Sequence, residues 1–258
     1  MLRPARIVRT RTILRALSPS SSLCRSMSSA GGPTFLGLDS STQSLKATII
    51  DSSLQVVAEA DVNFDADFPA YKTEGGVHPQ EDGTVTSPTV MWLEALDTVL
   101  GKLKADAVDF SQIAAVSGSG QQHGSVYWKK GASETLANLA PGAPLHVQLA
   151  DAFAIPNSPV WMDSSTTKQC ELLEEALGGP EAVAVATGSR AYERFTGNQI
   201  AKLSSSAEFA DTERISLVRW APLLLIAPAH RAADSAARVF QLDGRQRFCW
   251  HVRAHRYL

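Results

Sequence analysis

The sequence predicts an α/β layer fold, with a mixed sheet that starts as three antiparallel strands and is flanked by helices. Three observations carry this reading. Residues 34–64 hold three β-rich runs joined by short turns. Residues 90–104 carry the period of an amphipathic helix. From residue 113 onward, short apolar runs alternate with further helical stretches.

Each element follows from its residues. Thr34 to Ser40 (TFLGLDS) is a short apolar run ending at Asp39. Leu45 to Asp51 and Leu54 to Phe64 follow, separated by Asp51-Ser52-Ser53, whose side chains favour a turn. Pro69 to Pro88 is polar, holds Gly75-Gly76 and Pro79, and reads as a loop. Along Val90 to Lys104, Met91, Leu93, Leu96, Leu100 and Leu103 fall on one broad helical face. Ile113 to Val116 is a buried strand leading into Ser117-Gly118-Ser119-Gly120, and Ser125 to Trp128 is another strand. Pro159 to Met162 reads as a strand ending at Asp163. Ser164 to Leu177 is helical and closed by Gly178-Gly179, and Pro180 opens the next helix, through Ala186. No internal repeat is present.

The 258 residues are 44% hydrophobic and 19% charged, which excludes a collagen-like or wholly disordered chain. Cys24, Cys170 and Cys249 stand far apart without zinc spacing, which fits a reducing compartment or indifference to redox. The longest apolar run, Ala221 to Ala229, holds two prolines and is too short to span a bilayer. Charge divides the chain in three. Residues 1–30 hold six Arg and no acid; residues 31–218 hold eleven Lys and Arg against 24 Asp and Glu; residues 219–258 hold seven Arg, no Lys and two Asp. The acidic body argues against nucleic-acid binding. Residues 1–30, rich in Arg and Ser, have the make-up of an organelle transit peptide, mitochondrial ahead of plastid. Initiation at Met27 would leave a cytosolic protein instead. The tail, 219–258, reads as foreign to the body and poorly ordered; read-through of an intron or a change of frame would produce such a switch.

Three segments offer chemistry. Asp39-Ser40-Ser41-Thr42-Gln43 sits between two strands, where hydroxyls and backbone N–H groups can hold phosphate oxygens and Asp39 can organise a magnesium ion. The same residues also make an ordinary hairpin turn. Ser117 to Gly124 ends in Gln121-Gln122-His123-Gly124, which sets hydrogen-bonding groups at a strand end, as a polyol would need. Asp163, in WMDSST, either accepts bonds from a sugar hydroxyl or caps the following helix. Arg194 is either a substrate clamp or a surface ion pair with Glu193. No P-loop, HExxH, EF-hand or GxSxG motif occurs.

Taken together, GLDSSTQSLK (37–46), SGSGQQHGSVYW (117–128), PVWMDSST (159–166) and TGSRAYERFTGNQIAK (187–202) resemble the FGGY carbohydrate kinase family, and within it the xylulose kinases. Thr73 to Asp97 is similar to them too, and the resemblance runs from about Phe35 to Val218. It implies an actin-like (ribonuclease H-like) fold and transfer of a phosphoryl group from magnesium-ATP to D-xylulose. It assigns residues 31–218 to the sugar-binding N-terminal domain, and it implies a fold incomplete at its C-terminus. It places Asp39, Ser40, Ser41, Thr42 and Gln43 at the phosphates, with Asp39 as the metal residue. His123 and Arg194 match substrate-binding positions, with Gln122 and Asp163 beside them. The family's proton-accepting aspartate lies in a later segment. Neither Asp234 nor Asp243 stands in that context, so the resemblance implies no catalytic residue here. It leaves open a non-catalytic sugar-binding remnant, or a kinase for another polyol. It implies neither a nucleic-acid nor a membrane partner, and no oligomeric state.

Overall fold

The computed structural model describes residues 32–217. The leader 1–30 and the tail 219–258 lie outside the described residues, and with them the readings of a transit segment and a poorly ordered tail. The three opening strands form where the sequence places them: β1 (Thr34–Ser40), β2 (Ser44–Ile50) and β3 (Val56–Asn63). Asp51 makes the β2–β3 turn, its Oδ1 accepting from the N–H groups of Ser53 and Gln55 at 2.8 and 3.0 Å. A short helix α1 (Phe64–Asp67) follows.

The expected loop over residues 69–88 is more structured than its composition suggests. It holds a 3₁₀ turn at Pro69–Tyr71, β4 (His78–Pro79) and β5 (Val85–Pro88). These strands are short and find their partners far along the chain, so no local period marks them. Helix α2 (Thr89–Ala105) follows, with Met91, Trp92, Leu93, Ala95, Leu96, Val99 and Leu103 buried along it. It packs on β2 and β3 and covers Leu36, Leu38, Leu45, Ala47, Ile49 and Val62 of the sheet. Truncating Leu96 to Ala in this core costs about 2–5 kcal/mol.

Strand β6 (Ile113–Gly120) runs through the whole Ser-Gly segment, four residues beyond the apolar run that announces it. It pairs in parallel with β1 from Thr34↔Ile113 to Ser40↔Gly120, giving a four-stranded sheet of order β3-β2-β1-β6. β7 (Ser125–Lys129), α3 (Ala132–Ala137), α4 (Leu145–Gln148), β8 (Phe153–Ile155) and β9 (Asn157–Pro159) come next. The strand expected over Pro159 to Met162 therefore ends at its first residue. Asp163 N–H donates to Val160 O at 3.0 Å, turning the chain there.

Helix α5 (Thr167–Leu177) starts three residues later than expected, because Asp163 Oδ1 captures the Ser165 N–H at 3.0 Å and holds that turn out of helical geometry. Gly178, in the left-handed region at φ 91°, closes α5. α6 (Pro180–Thr187), α7 (Thr196–Leu203) and β10 (Thr212–Leu217) complete the described chain. β10, β7 and β8 form a second antiparallel sheet, and β4, β5 and β9 a third. The α/β layer with its three-stranded antiparallel start is as expected; the division into three sheets is not legible in the sequence. Among the described residues no helix is long and apolar enough to cross a membrane.

Candidate functional site

Strand alternation sorts β1 into two faces. Leu36, Leu38 and Ser40 are buried, whereas Gly37 and Asp39 are exposed. The same open face carries Lys46 on β2, opposite Asp39, and Ser117 and Ser119 on β6. Parallel strands are usually covered on both faces. Here one face of the β1–β6 pair is polar and open, and Asp39 lies on it. Ser119 Oγ donates to Asp39 Oδ1 at 2.8 Å.

Four stretches far apart in sequence meet at the end of this sheet. The β1–β2 turn, Ser41 to Ser44, is closed internally: Ser44 N–H donates to Ser41 Oγ at 3.1 Å, and Ser41 N–H to Ser44 O at 2.9 Å. The second stretch is tied to it by Gln121 N–H, which donates to Ser40 O at 2.9 Å. The third is held by Trp161, whose indole N–H donates to Thr42 Oγ1 at 2.9 Å. The fourth is Arg194-Phe195-Thr196. Phe195 packs on the His123 ring with centroids 5.1 Å apart, and Thr196 Oγ1 donates to His123 O at 3.1 Å.

A further turn braces the hairpin from below. Asp65 accepts from Thr73 Oγ1 at 2.7 Å and from the N–H groups of Gly75 and Gly76 at 2.6 and 2.9 Å. Burial pushes the Asp65 carboxyl up, but the Thr73 hydroxyl and those two N–H groups outweigh it, and the group sits below the usual carboxylate range. Gly76, at φ 80°, lies so close to Thr42 O that only glycine fits there.

The expected site residues divide into those presented to solvent and those built into the frame. Asp39, Gln43, Gln122 and Arg194 are exposed, and Ser41, Thr42 and His123 are half-buried. His123 has φ 66° within a tight turn in which Gly124 N–H donates to Gln122 O at 2.9 Å. A non-glycine residue there carries backbone strain, a frequent mark of functional positions. Arg194 lies 5.9 Å from the Tyr192 ring centroid and has no ion pair among the described residues, so the surface pair with Glu193 does not form.

Ser40 and Asp163 are each 2% exposed. The Ser40 side chain lies on the packed side of β1. The Asp163 carboxylate accepts from Val85 N–H at 2.9 Å, Ser165 N–H at 3.0 Å, Ser165 Oγ at 2.6 Å and Gln199 Nε2 at 2.7 Å. It clamps β5 to α7 behind Trp161 and Met162, and it caps neither α5 nor an open pocket. Lys202 extends the network, donating to Ser165 Oγ at 2.6 Å and Thr84 Oγ1 at 2.9 Å. The sequence reading places Gln121 and Trp161 in the site segments but not their partners: Trp161 bonds Thr42 across 119 positions, and Gln121 N–H bonds Ser40 O on the neighbouring strand. Among the described residues no group of three His, Cys, Asp or Glu side chains gathers around a metal position. Asp39 alone offers one exposed carboxylate, which suits a magnesium ion that keeps most of its waters.

The sequence is 56% identical over 192 residues to the xylulose kinase of Mus musculus, covering 73% of this chain and 35% of that protein. Over this stretch the chain is similar to a xylulose kinase. It is also 49% identical over 222 residues to xylulose kinase 2 of Arabidopsis thaliana, covering 84% of this chain and 40% of that protein. The homologous chain thus spans little more than a third of the length of these relatives. Its fold matches a solved xyloylose kinase from Brucella ovis with a TM-score of 0.56 at 21% identity, covering 75% of this chain and 34% of that one. The fold is therefore that of the FGGY carbohydrate kinases, actin-like as expected. No family model matches the sequence.

Proposed function

We propose that residues 31–218 form the sugar-binding domain of an ATP-dependent kinase that converts D-xylulose to D-xylulose 5-phosphate. The convergence of the Thr42, Gln121–His123, Trp161 and Arg194–Thr196 stretches on one end of β1 and β6 supports this most. Phosphoryl transfer to an alcohol needs little covalent help from the protein; it needs positioning and neutralised charge. In this reading His123 and Arg194 hold sugar hydroxyls, and Gln122 lies beside them. Phe195 and Thr196 fix the His123 ring and carbonyl. Asp163 is a positioning residue that works from behind Trp161. The Asp39–Gln43 turn would hold the phosphates of ATP, and Asp39 would hold the magnesium ion, directly or through water. When bound, magnesium offsets charge on the phosphoryl group in transfer. The leader 1–30 acts as an import segment, mitochondrial before plastid, unless translation starts at Met27 and leaves the protein in the cytosol. Imaging of tagged chains begun at Met1 and Met27 separates the two.

The test is ADP release by the full 258-residue chain with magnesium-ATP and D-xylulose, with D-ribulose and glycerol as rival acceptors. Xylulose-dependent turnover is the result for a kinase. Stabilisation by D-xylulose without turnover identifies a sugar-binding domain alone. Absence of both turnover and stabilisation refutes the proposal, and preference for glycerol moves it to another polyol.

A further inference from the structure

We infer that Gln199 is the positioning residue that sets Arg194, its one amide group locking the Arg194 stretch to the Trp161 stretch; the inference rests on the function proposed above. Helix α7 buries Asn198 and Gln199, and both are amides. A helix face packed against the body of a protein is ordinarily apolar. Buried amides are costly unless their hydrogen bonds are made, so their partners show what they hold.

The partners lie in the loop that carries Arg194. Gln199 Nε2 donates to Asp163 Oδ1 at 2.7 Å and to Glu193 O at 3.1 Å. A carboxylate and a carbonyl only accept, which fixes the amide nitrogen on this side and uses both of its hydrogens. Thr166 Oγ1 donates to the same Glu193 O at 2.7 Å, and Asn198 Nδ2 to Tyr192 O at 2.8 Å. Phe195 O accepts from the N–H groups of Asn198 and Gln199 at 3.0 and 3.2 Å. The carbonyls of Tyr192, Glu193 and Phe195 are thus all held, and the exposed Arg194 side chain stands on a clamped backbone. Thr166 and Gln199 are 0% and 1% exposed, so water does not compete for their bonds. Gln199 does more than its neighbours. Its second bond reaches Asp163, two residues from Trp161, whose indole bonds Thr42. It is the joint between two of the four converging stretches. Placement matters for a group that must meet a bound hydroxyl: a shift of about 1 Å can cost about a hundredfold in rate.

The test is a double-mutant cycle on the full chain, with Gln199→Met, Arg194→Ala and the two combined, read by calorimetric titration of D-xylulose and by thermal melting. Methionine keeps the length of the side chain and removes both bonds. The expected result is an affinity about fivefold to tenfold weaker in Gln199→Met, with no further loss when it is added to Arg194→Ala, because Gln199 acts through Arg194. A merely structural role would lower the melting temperature and weaken binding by the same factor in both backgrounds. Additive losses would therefore overturn the inference, as would unchanged affinity in Gln199→Met. Thr166→Val serves where Gln199→Met does not fold, since it removes one bond to Glu193 O and leaves the donors to Asp163 in place. It should weaken binding by about threefold, again with no further loss beside Arg194→Ala; a loss that persists there overturns the inference too. A wild-type chain that binds no D-xylulose would instead sink the proposed function, and this inference with it.

Discussion

Alanine at position 76 would put a methyl group where the chain has no room for one. The Cβ built on Gly76 lies 2.0 Å from Thr42 O and 3.0 Å from Phe64 Cδ2, whereas ordinary contact begins near 3.4 Å. The first neighbour is backbone, so no side chain can swing aside, and the Thr73–Gly76 turn and the β1–β2 hairpin must separate by about 1.4 Å. The left-handed φ of 80° adds a conformational cost of about 1–2 kcal/mol for a residue with a Cβ. Forced overpacking adds about 1–3 kcal/mol. Together these predict a loss of about 2–5 kcal/mol, or a fall in Tm of about 5–15 °C for a domain of this size. Gly75 is the internal control: it has φ 63°, and its nearest neighbour is the end of the Gln43 side chain at 3.6 Å. Gly75→Ala should therefore show only the conformational cost. Melting of the two variants followed by circular dichroism gives the comparison. Equal losses in both would refute the claim that this turn braces the hairpin through Thr42.

Other consequences follow from the same contacts. Asp163→Asn turns an oxygen that accepts into an amide that donates, among donors from Val85, Ser165 and Gln199. It should cost about 2–4 kcal/mol in urea denaturation, where a purely ligand-facing residue would cost almost nothing. Asp65, with its pKa lowered on folding, contributes stability that is present above the ordinary carboxyl value near 3.8 and is lost as pH falls through the folded value. The gap in Tm between wild type and Asp65→Asn should accordingly be full at pH 6 and shrink in strong acid; a gap independent of pH would contradict this. Cys170 is 6% exposed, and burial pushes its thiol pKa up. Mass spectrometry after iodoacetamide should find its peptide unmodified in the native chain and labelled in urea.

What was legible in the sequence is what local chemistry decides. Strands β1 to β3 alternate cleanly, and Asp51 supplies the side chain that makes the turn between β2 and β3. Helix α2 shows its apolar period over 17 residues. Strand β5 and its partner β9 were lost because Thr86 pairs with Pro159, and neither strand exceeds four residues. The site divides the same way. Asp39, Gln122, His123 and Arg194 stood out by residue type beside strand ends and glycines. The role of Asp163 was not readable, because its partners Val85 and Gln199 lie far away in sequence. Sequence gives the residue's chemistry, but only the fold shows that its lone pairs are already taken. The same holds for Gln121, whose side-chain amide is enclosed in a way no local pattern reveals.

The most direct measurement of the central claim is calorimetric titration of D-xylulose into the full chain, wild type against Arg194→Ala and His123→Ala. Arg194 is exposed and has no ion pair among the described residues, so its truncation should leave the melting temperature close to wild type. The account predicts saturable binding to wild type and a loss of about tenfold or more in each variant. Binding of equal strength in all three chains would contradict the placement of the sugar between His123 and Arg194.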